Sequence, residues 1–322
     1  KVTDDGKGQL VAAATPAEGT TITFENIYST DKITHNIPVL KELEVAAGQT
    51  GPDIKGKFTF TLKALNGAPM PTGAVDGVIT ATNGDGGWVD FGTITYTKPG
   101  TYLYEVTESG EVTGVVNDTT TKTVTVVIGD KSDGTMEVVS CSSTTENPAT
   151  FTNKYTARNA EAYIPVLKKF EKEFGNLVLP EVLNKYSFEL TASSKNPDGC
   201  TMPTVTTLTN PADGQMSFGP FTFSKEGTYE FTVTETGNTV AGINNDTDAT
   251  REVTITVTDN QDGTLEASIV CGDTDEAVFT NVYMPLPVPL SIPVKKTLSI
   301  ASGVGPTEDV ADTFTFTLTA EE

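Results

Sequence analysis

Hydrophobic and polar residues alternate in short runs along most of the chain. The segments KFTFTL (57–62), YSFEL (186–190) and TFTFTL (313–318) place an apolar residue at every second position, which is typical of half-buried β-strands. Long runs with helical periodicity are missing. Asp-Gly pairs at 133–134 and 262–263 lie between two such runs, and glycine supplies the positive φ that tight hairpin turns require. The pattern predicts an all-β protein with antiparallel hairpins.

The strand pattern also repeats at the length of a domain. Each unit opens with IPVLK or IPVKK and closes with the pattern F-x-N-x-Y. The opening motif begins at residues 37, 164 and 292, and the closing motif at residues 24, 151 and 279. Internal repeats of domain size with many short strands fit tandem two-sheet β-sandwiches of immunoglobulin type, here without the Cys-Trp-Cys core of antibody domains.

These motifs divide the chain into two complete repeats and two partial ones. We expect complete repeats at residues 33–155 and 160–283. Residues 1–28 resemble the C-terminal strands of a preceding repeat, and residues 288–322 resemble the N-terminal strands of a following one. On this interpretation the chain is cut from a longer array.

Three types of polar residue are expected to point into the core, because residues two apart in a strand share a face. A lysine follows two inward apolar residues in each opening motif: Lys41, Lys168 and Lys296. An asparagine lies between inward aromatic residues in each closing motif: Asn26, Asn153 and Asn281. A glutamate ends a run of inward aromatic and aliphatic residues in each complete repeat: Glu108 and Glu235.

Buried lysine, glutamate and asparagine side chains need partners, because unpaired buried ions and amides are costly. Burial favours the neutral amine of a lysine, which is a nucleophile. An asparagine carbonyl becomes an acceptor when a protonated carboxyl group donates a hydrogen bond to its oxygen and then passes the proton to the leaving amine. The product is an amide, with ammonia released. The alternative is an ordinary buried Lys-Glu ion pair beside a hydrogen-bonded asparagine.

At these residues the sequence resembles the Gram-positive pilin and surface-protein family with Spy0128-like, or FctA-like, isopeptide domains. The resemblance implies an isopeptide bond between a lysine on the first strand and an asparagine on the last, assisted by a glutamate on a central strand. It pairs Lys41 with Asn153 and Glu108, and Lys168 with Asn281 and Glu235. It makes Asn26 and Lys296 half-sites whose partners lie outside the chain. The neighbouring candidates rejected because they face away are Lys169, Lys295 and Glu105.

Composition narrows the classes of function. The chain has 21 Lys and Arg against 43 Asp and Glu, a net charge of -22, which argues against a nucleic-acid partner. The longest apolar stretch, MPLPVP at 284–289, is too short and too rich in proline to insert into a membrane. His35 is the only histidine, so we expect no metal site, no cofactor and no turnover catalysis beyond a single autocatalytic bond formation.

Two further features stay open at the level of sequence. Cys200 and Cys271 lie in the same repeat and are candidates for a disulfide bond, which leaves Cys141 alone. The tripeptides Asn117-Asp118-Thr119 and Asn245-Asp246-Thr247 match the glycosylation pattern, but we interpret both as turns that precede a strand.

The leading functional hypothesis is a structural one. We expect a subunit or stalk segment of a pilus-like bacterial fibre, extracellular at the cell wall or cell surface, whose partners are copies of itself or adjoining repeats. The alternative is an adhesin module that binds a host or matrix ligand through the loops 67–87 and 193–214, since a sandwich fold alone does not define function.

Overall fold

β-Strands make up nearly all of the regular structure. The computed structural model describes residues 1–13, 15, 19–237, 240–305 and 314–320. Within these residues the regular structure consists of strands and one 3₁₀ turn at Asp85–Gly87, which confirms the all-β prediction. The first two strands, β1 (Val2–Asp4) and β2 (Leu10–Ala12), form an antiparallel hairpin of their own.

Repeat one, residues 33–155, is a sandwich of two main sheets. Its strands are β3 (Ile33–His35), β4 (Val39–Val45), β5 (Thr59–Ala64), β6 (Val78–Thr82), β7 (Trp88–Val89), β8 (Ile94–Tyr96), β9 (Gly100–Ser109), β10 (Val115–Val116), β11 (Lys122–Asp130), β12 (Met136–Cys141) and β13 (Ala149–Tyr155). One sheet has the order β10-β13-β4-β7 and the other the order β12-β11-β9-β5-β6, while β3 pairs with β8.

Repeat two, residues 160–283, has the same architecture with longer strands. They are β14 (Ala160–Lys172), β15 (Tyr186–Ala192), β16 (Cys200–Thr201), β17 (Thr207–Thr209), β18 (Gln215–Phe223), β19 (Gly227–Gly237), β20 (Ile243–Asn244), β21 (Thr250–Asp259), β22 (Leu265–Cys271) and β23 (Ala277–Tyr283). The two sheets have the orders β16-β18-β14-β23-β20 and β17-β15-β19-β21-β22. Tandem β-sandwich repeats are therefore confirmed.

The predicted alternation decides which side chains fill each core. In repeat one the inward positions of β5, β9 and β13 are occupied by Phe60, Tyr104 and Phe151, all fully buried. Each repeat has its own cluster of buried apolar residues. The residues between the inward positions face solvent, as expected for a sheet with one buried face.

The two Asp-Gly hairpins form as predicted. β11 pairs antiparallel with β12, and β21 with β22, around the turns at 131–135 and 260–264. Gly134 and Gly263 have φ of 87° and 86°, a left-handed conformation that glycine adopts without steric cost.

The partial repeats do not form strands in their key motifs. Residues 20–32 and 284–301 have no regular structure, and Phe24 is 87% exposed. The expected strand at 313–318 begins at Thr313, which lies outside the described residues, and 314–318 are unpaired. A strand needs a neighbour to satisfy its backbone groups, and the described part of the chain provides no pairing strand for these segments.

The disulfide bond considered for Cys200 and Cys271 is not formed, and Cys141 is also a free thiol. Cys200 lies in β16, in the sheet that contains β14, whereas Cys271 ends β22 at the edge of the opposite sheet. Facing sheets pack about 10 Å apart, while the Cα atoms of a disulfide lie within about 7 Å.

Candidate functional site

The first and last strands of each repeat lie side by side and run parallel. In repeat one Lys41 on β4 is in register with Phe151 on β13, and Asn153 follows two residues later on the same face. In repeat two Lys168 on β14 is in register with Phe279 on β23, and Asn281 follows in the same way. Neighbouring strands are about 4.8 Å apart, so each lysine and asparagine lie diagonally across one strand spacing on the inner face.

A glutamate from the opposite sheet completes the group of residues in repeat one. The Nζ atom of Lys41 lies 2.8 Å from Oε2 of Glu108, and both side chains are 0% exposed. Asn153 Nδ2 donates a hydrogen bond to the other carboxylate oxygen, Oε1, at 2.6 Å. The carboxylate therefore bridges the amine and the amide nitrogen.

The oxygen of the asparagine has a different partner from the expected one. Asn153 Oδ1 accepts the backbone N–H of Asp118 at 2.7 Å, so Glu108 contacts the amide nitrogen and not the carbonyl oxygen. A backbone N–H can only donate, which fixes the orientation of the side-chain amide. Asn117 Oδ1 accepts from Asn153 Nδ2 at 3.1 Å.

Repeat two has the same residues in a slightly different arrangement. Lys168 Nζ lies 2.6 Å from Glu235 Oε1, with side chains 0% and 5% exposed. Asn281 Oδ1 accepts the N–H of Asp246 at 2.8 Å, and its Nδ2 donates to Asn245 Oδ1 at 3.3 Å. Beyond the ion pair, neither Lys168 Nζ nor Glu235 Oε1 has a hydrogen-bond partner among the residues that the structure describes.

The sequence did not reveal that the turns at Asn117-Asp118 and Asn245-Asp246 contribute to the candidate site. Both were interpreted only as turns, yet each turn supplies a backbone N–H and a side-chain oxygen to the buried asparagine. The one available signal was that the pair Asn-Asp occurs at the same place in both repeats.

Burial favours the neutral form of both lysines. Loss of solvent lowers the pKa of Lys41 and of Lys168, and the adjacent glutamates offset only part of this effect. The surroundings are aromatic, since Lys41 Nζ lies 4.8 Å from the centre of the Phe58 ring and Lys168 Nζ lies 5.0 Å from that of Tyr186. An amine with a lowered pKa can act as a nucleophile.

The two half-site residues are not in comparable surroundings. Asn26 lies in the unpaired segment 20–32, and Lys296 is exposed with its Nζ 4.4 Å from the centre of the Phe314 ring. Their assignment as half-sites stays a prediction. Of the rejected neighbours, Lys169 is exposed, and Glu105 forms an outer ion pair with Lys63.

Other kinds of site are not found in the described ranges. No group of three or more His, Cys, Asp or Glu residues there could hold a metal ion. Nor does any helix in the same ranges have the length and apolar character needed to cross a bilayer.

The fold and the site define a class: tandem β-sandwiches in which a buried lysine, glutamate and asparagine, from the first, central and last strands, lie close together in the core. Residues 37–156 and 164–284 match the family model FctA, described as a Spy0128-like isopeptide containing domain. These matches span more than half of the chain, which therefore belongs to this family, as the resemblance of the motifs implied. The family is structural and not enzymatic.

Several solved structures of bacterial surface proteins are similar to this chain. The major pilin of Streptococcus pyogenes is 19% identical, with 77% of this chain and 98% of that chain covered and a TM-score of 0.29. The minor pilin GBS52 of Streptococcus agalactiae is 14% identical, with 80% and 100% covered and a TM-score of 0.24. Two B repeat units of the collagen binding protein of Staphylococcus aureus are 16% identical, with 78% and 49% covered and a TM-score of 0.25. No curated protein sequence matches.

Proposed function

We propose that this chain is a structural segment of an extracellular, pilus-like bacterial fibre, and that each complete repeat closes a Lys-Asn isopeptide bond without an added enzyme. The observation that supports the proposal is the contact of Glu108 with both Lys41 Nζ and Asn153 Nδ2 in the buried core. The partners are adjoining repeats or further copies of the chain, at the cell wall or cell surface.

The reaction follows from the positions of these atoms. Glu108 takes a proton from Lys41 Nζ, because burial disfavours the ion pair. The neutral amine attacks Cγ of Asn153, and the developing charge on Oδ1 is stabilised by the N–H of Asp118, which already lies 2.7 Å away. Glu108 returns the proton to Nδ2, the Cγ–Nδ2 bond breaks, and ammonia leaves. The second proton of the attacking nitrogen passes to Glu108, which leaves a neutral amide and a protonated carboxyl group. One amide bond replaces another, so no cofactor is needed.

The position of the bond on parallel neighbouring strands supports a mechanical role. Tension that enters a repeat through β4 and leaves through β13 would pass from Lys41 directly to Asn153. The rest of the sandwich would then carry little of the load. Closing a loop of about a hundred residues also stabilises the fold by about 5 kcal/mol, by analogy with a disulfide. Unlike a disulfide, an amide is indifferent to reductants.

The test is the intact mass of the denatured and reduced chain. Each bond expels one ammonia, so two bonds lower the mass by about 34 Da. Glu108→Ala and Glu235→Ala should each restore about 17 Da, and peptide mapping should assign the restored mass to repeat one or repeat two. Glu105→Ala is the matched control. Glu105 lies on the opposite face of the same strand, where it pairs with Lys63, so its removal should leave the mass deficit intact. An unmodified mass in the parent chain would overturn the proposal.

The adhesin hypothesis has less support. Of its two loops, 67–87 ends beside Trp88, which is 41% exposed. A single exposed aromatic side chain is ordinary on a protein surface and does not define a binding site. Retention of the chain on immobilised host matrix proteins, lost in Trp88→Ala, would be needed to revive this hypothesis.

A further inference from the structure

The last residue of repeat one is docked into a hairpin of repeat two. Tyr155, at the end of β13, is 1% exposed. Its hydroxyl group donates to Asp259 Oδ1 at 2.7 Å and accepts the N–H of Gly263 at 3.2 Å. Burial, together with the hydrogen bond to Asp259, raises the pKa of Tyr155 to about 12, so the phenol retains the proton that it donates.

The same contacts occur one repeat earlier. The hydroxyl group of Tyr28 donates to Asp130 Oδ1 at 2.9 Å and accepts the N–H of Gly134 at 3.1 Å. A backbone hydrogen bond follows three residues after each tyrosine. Asp31 N–H donates to Gly134 O at 2.9 Å, and Arg158 N–H donates to Gly263 O at 2.8 Å. The same three hydrogen bonds form at both tyrosines, so the arrangement is a repeated feature of the chain and not a coincidence.

The two receiving hairpins have the same backbone shape, with an aspartate four residues before a glycine. The aspartate Oδ1 also accepts the N–H two residues later, from Ser132 at 2.7 Å and from Gln261 at 2.8 Å. Ser132 and Gln261 have positive φ of 64° and 60°. The β1–β2 hairpin repeats this turn, with Asp4 Oδ1 accepting from Gly6 N at 2.8 Å and Gly8 at a φ of 87°.

Around Tyr155 the contact between the repeats is extended and close. Gly114 and Gly263 lie against each other, and a Cβ atom on Gly263 would lie 2.8 Å from the Cα of Gly114. Gln49 accepts the N–H of Ala157 at 2.7 Å, and Thr50 N–H donates to Asp259 Oδ2 at 2.9 Å. The interface leaves no room for a side chain at its centre.

We propose that the tyrosine that closes one repeat and the Asp-x-x-x-Gly hairpin of the next form a recurring joint that holds successive sandwiches at a set angle. The partner that each hairpin fits is thus the terminal tyrosine of an adjoining repeat. The joint involves none of the six lysine, glutamate and asparagine residues of the crosslink sites, and it does not depend on the proposed function. It would make a chain of repeats a rod of defined curvature.

The first test uses hydrogen exchange of backbone amides in the full chain. Tyr155→Phe should speed exchange at Gly263 and Arg158 by about tenfold, because both hydrogen bonds of the hydroxyl group are lost and the joint opens more often. Tyr28→Phe should do the same at Gly134 and Asp31 only. Tyr283→Phe is the matched control: Tyr283 is the equivalent residue of repeat two, and its hydroxyl group has no hydrogen-bond partner in the described parts of the chain. Unchanged exchange in Tyr155→Phe would overturn the proposal.

The second test opens the joint by steric clash. Gly263→Ala places a Cβ against Gly114, whereas Gly134→Ala has nothing within 4 Å of the new atom at nearly the same φ. The two variants therefore share the backbone strain and differ in the clash. Small-angle X-ray scattering should show a broader range of inter-repeat distances for Gly263→Ala alone. Equal scattering from both variants would contradict the joint, and intact mass checks that the crosslinks are unaffected.

Discussion

The two repeats hold the same three side chains but support the asparagine differently. In repeat one Glu108 contacts both Lys41 and Asn153. In repeat two Glu235 pairs with Lys168, and the hydrogen bonds of the Asn281 side chain within the described residues go to the turn. There Asp246 Oδ2 accepts the N–H of Thr280, one residue before Asn281, at 2.8 Å. The asparagine of repeat one is held mainly by the carboxylate, and that of repeat two mainly by the turn. Equivalent substitutions in the two repeats should therefore change their stability and their rate of bond formation by different amounts.

The largest effect is expected from removing each lysine. Lys41→Met and Lys168→Met both forfeit the proposed crosslink, about 5 kcal/mol, and leave a buried carboxyl group without the lysine nitrogen as a partner, about 1 to 3 kcal/mol more. Glu108 keeps the hydrogen bond from Asn153, whereas Oε1 of Glu235 keeps no hydrogen-bond partner among the described residues. The loss should therefore be about 1 to 2 kcal/mol greater in repeat two. Hydrogen exchange resolves the stability of each repeat.

The control for this comparison removes the buried carboxyl group that has lost its partner. Adding Glu108→Gln or Glu235→Gln to the matching lysine variant should recover part of this second loss while the proposed crosslink stays absent. Equal destabilisation of the two repeats by the single lysine variants would show that the contact between Glu108 and Asn153 has no energetic weight.

A second difference should appear in the rate of bond formation. Asp246→Ala removes the carboxylate that ties the turn to β23, so the N–H that contacts Asn281 Oδ1 loses its support. A loss of about 1.4 kcal/mol in transition-state stabilisation slows closure about tenfold. Asp118→Ala should slow repeat one less, because Glu108 also holds Asn153. Peptide mass spectrometry of protein collected after brief expression measures the fraction of each repeat in which the Lys-Asn bond has not yet formed.

Asp248→Ala serves as the control for Asp246→Ala. Asp248 also pairs with Arg251, at 3.6 Å, but its side chain is 69% exposed, and its hydrogen bonds within the described residues go to Thr250 and not to β23. If it slows closure as much as Asp246→Ala does, the effect belongs to the ion pair with Arg251 and not to the position of the turn.

A smaller effect is expected from exchanging the cations beside the sites. Arg251 donates to Val278 O at 2.9 Å and to Asp246 Oδ2 at 2.8 Å, while Lys122 lies 3.3 Å from Asp118. Arg251→Lys loses the planar set of donors and should destabilise repeat two by about 1 to 2 kcal/mol. Lys122→Arg should change repeat one by less than about 0.5 kcal/mol. Thermal unfolding of the single variants measures both.

The smallest effect is the response to alkaline pH. Repeat one has a buried pair of tyrosines, Tyr96 and Tyr104, whose hydroxyl oxygens lie 3.1 Å apart, whereas repeat two has Phe223 and Phe231 at these positions. Burial raises the pKa of Tyr96 to about 12. The contribution of Tyr96 to stability is therefore fully present below pH 10 and is lost as the pH rises from 10 to 12, by about 1.4 kcal/mol at pH 11.

Hydrogen exchange at several pH values can isolate this contribution. Tyr96→Phe/Tyr104→Phe should be less stable at neutral pH, because Pro69 O loses its donor. The loss of stability at alkaline pH that comes from these two tyrosines should be absent from this double variant. A parallel decline of parent and variant above pH 10 would assign the loss to other groups.

The inward positions of Lys41, Glu108 and Asn153 could be predicted because alternation alone determines which face a strand residue occupies. The contact between first and last strands came from the family resemblance, since alternation does not determine strand order. The N–H of Asp118 could not be predicted, because every residue except proline has this donor and only the folded turn directs it. The motif at residue 24 has the sequence pattern of a strand, but it forms none, because a strand needs a neighbouring strand to pair with.

The short connection between repeats has a consequence for extensibility. Fifteen peptide bonds lead from Asn153 to Lys168. With both bonds closed, this segment is the one part of the chain between Lys41 and Asn281 that could lengthen under force, to at most about 50 Å when fully extended, because the residues between each bonded pair are shielded from the pull. A single-molecule stretching curve should then rise steeply without sawtooth unfolding steps, and compliance would come from the connections alone.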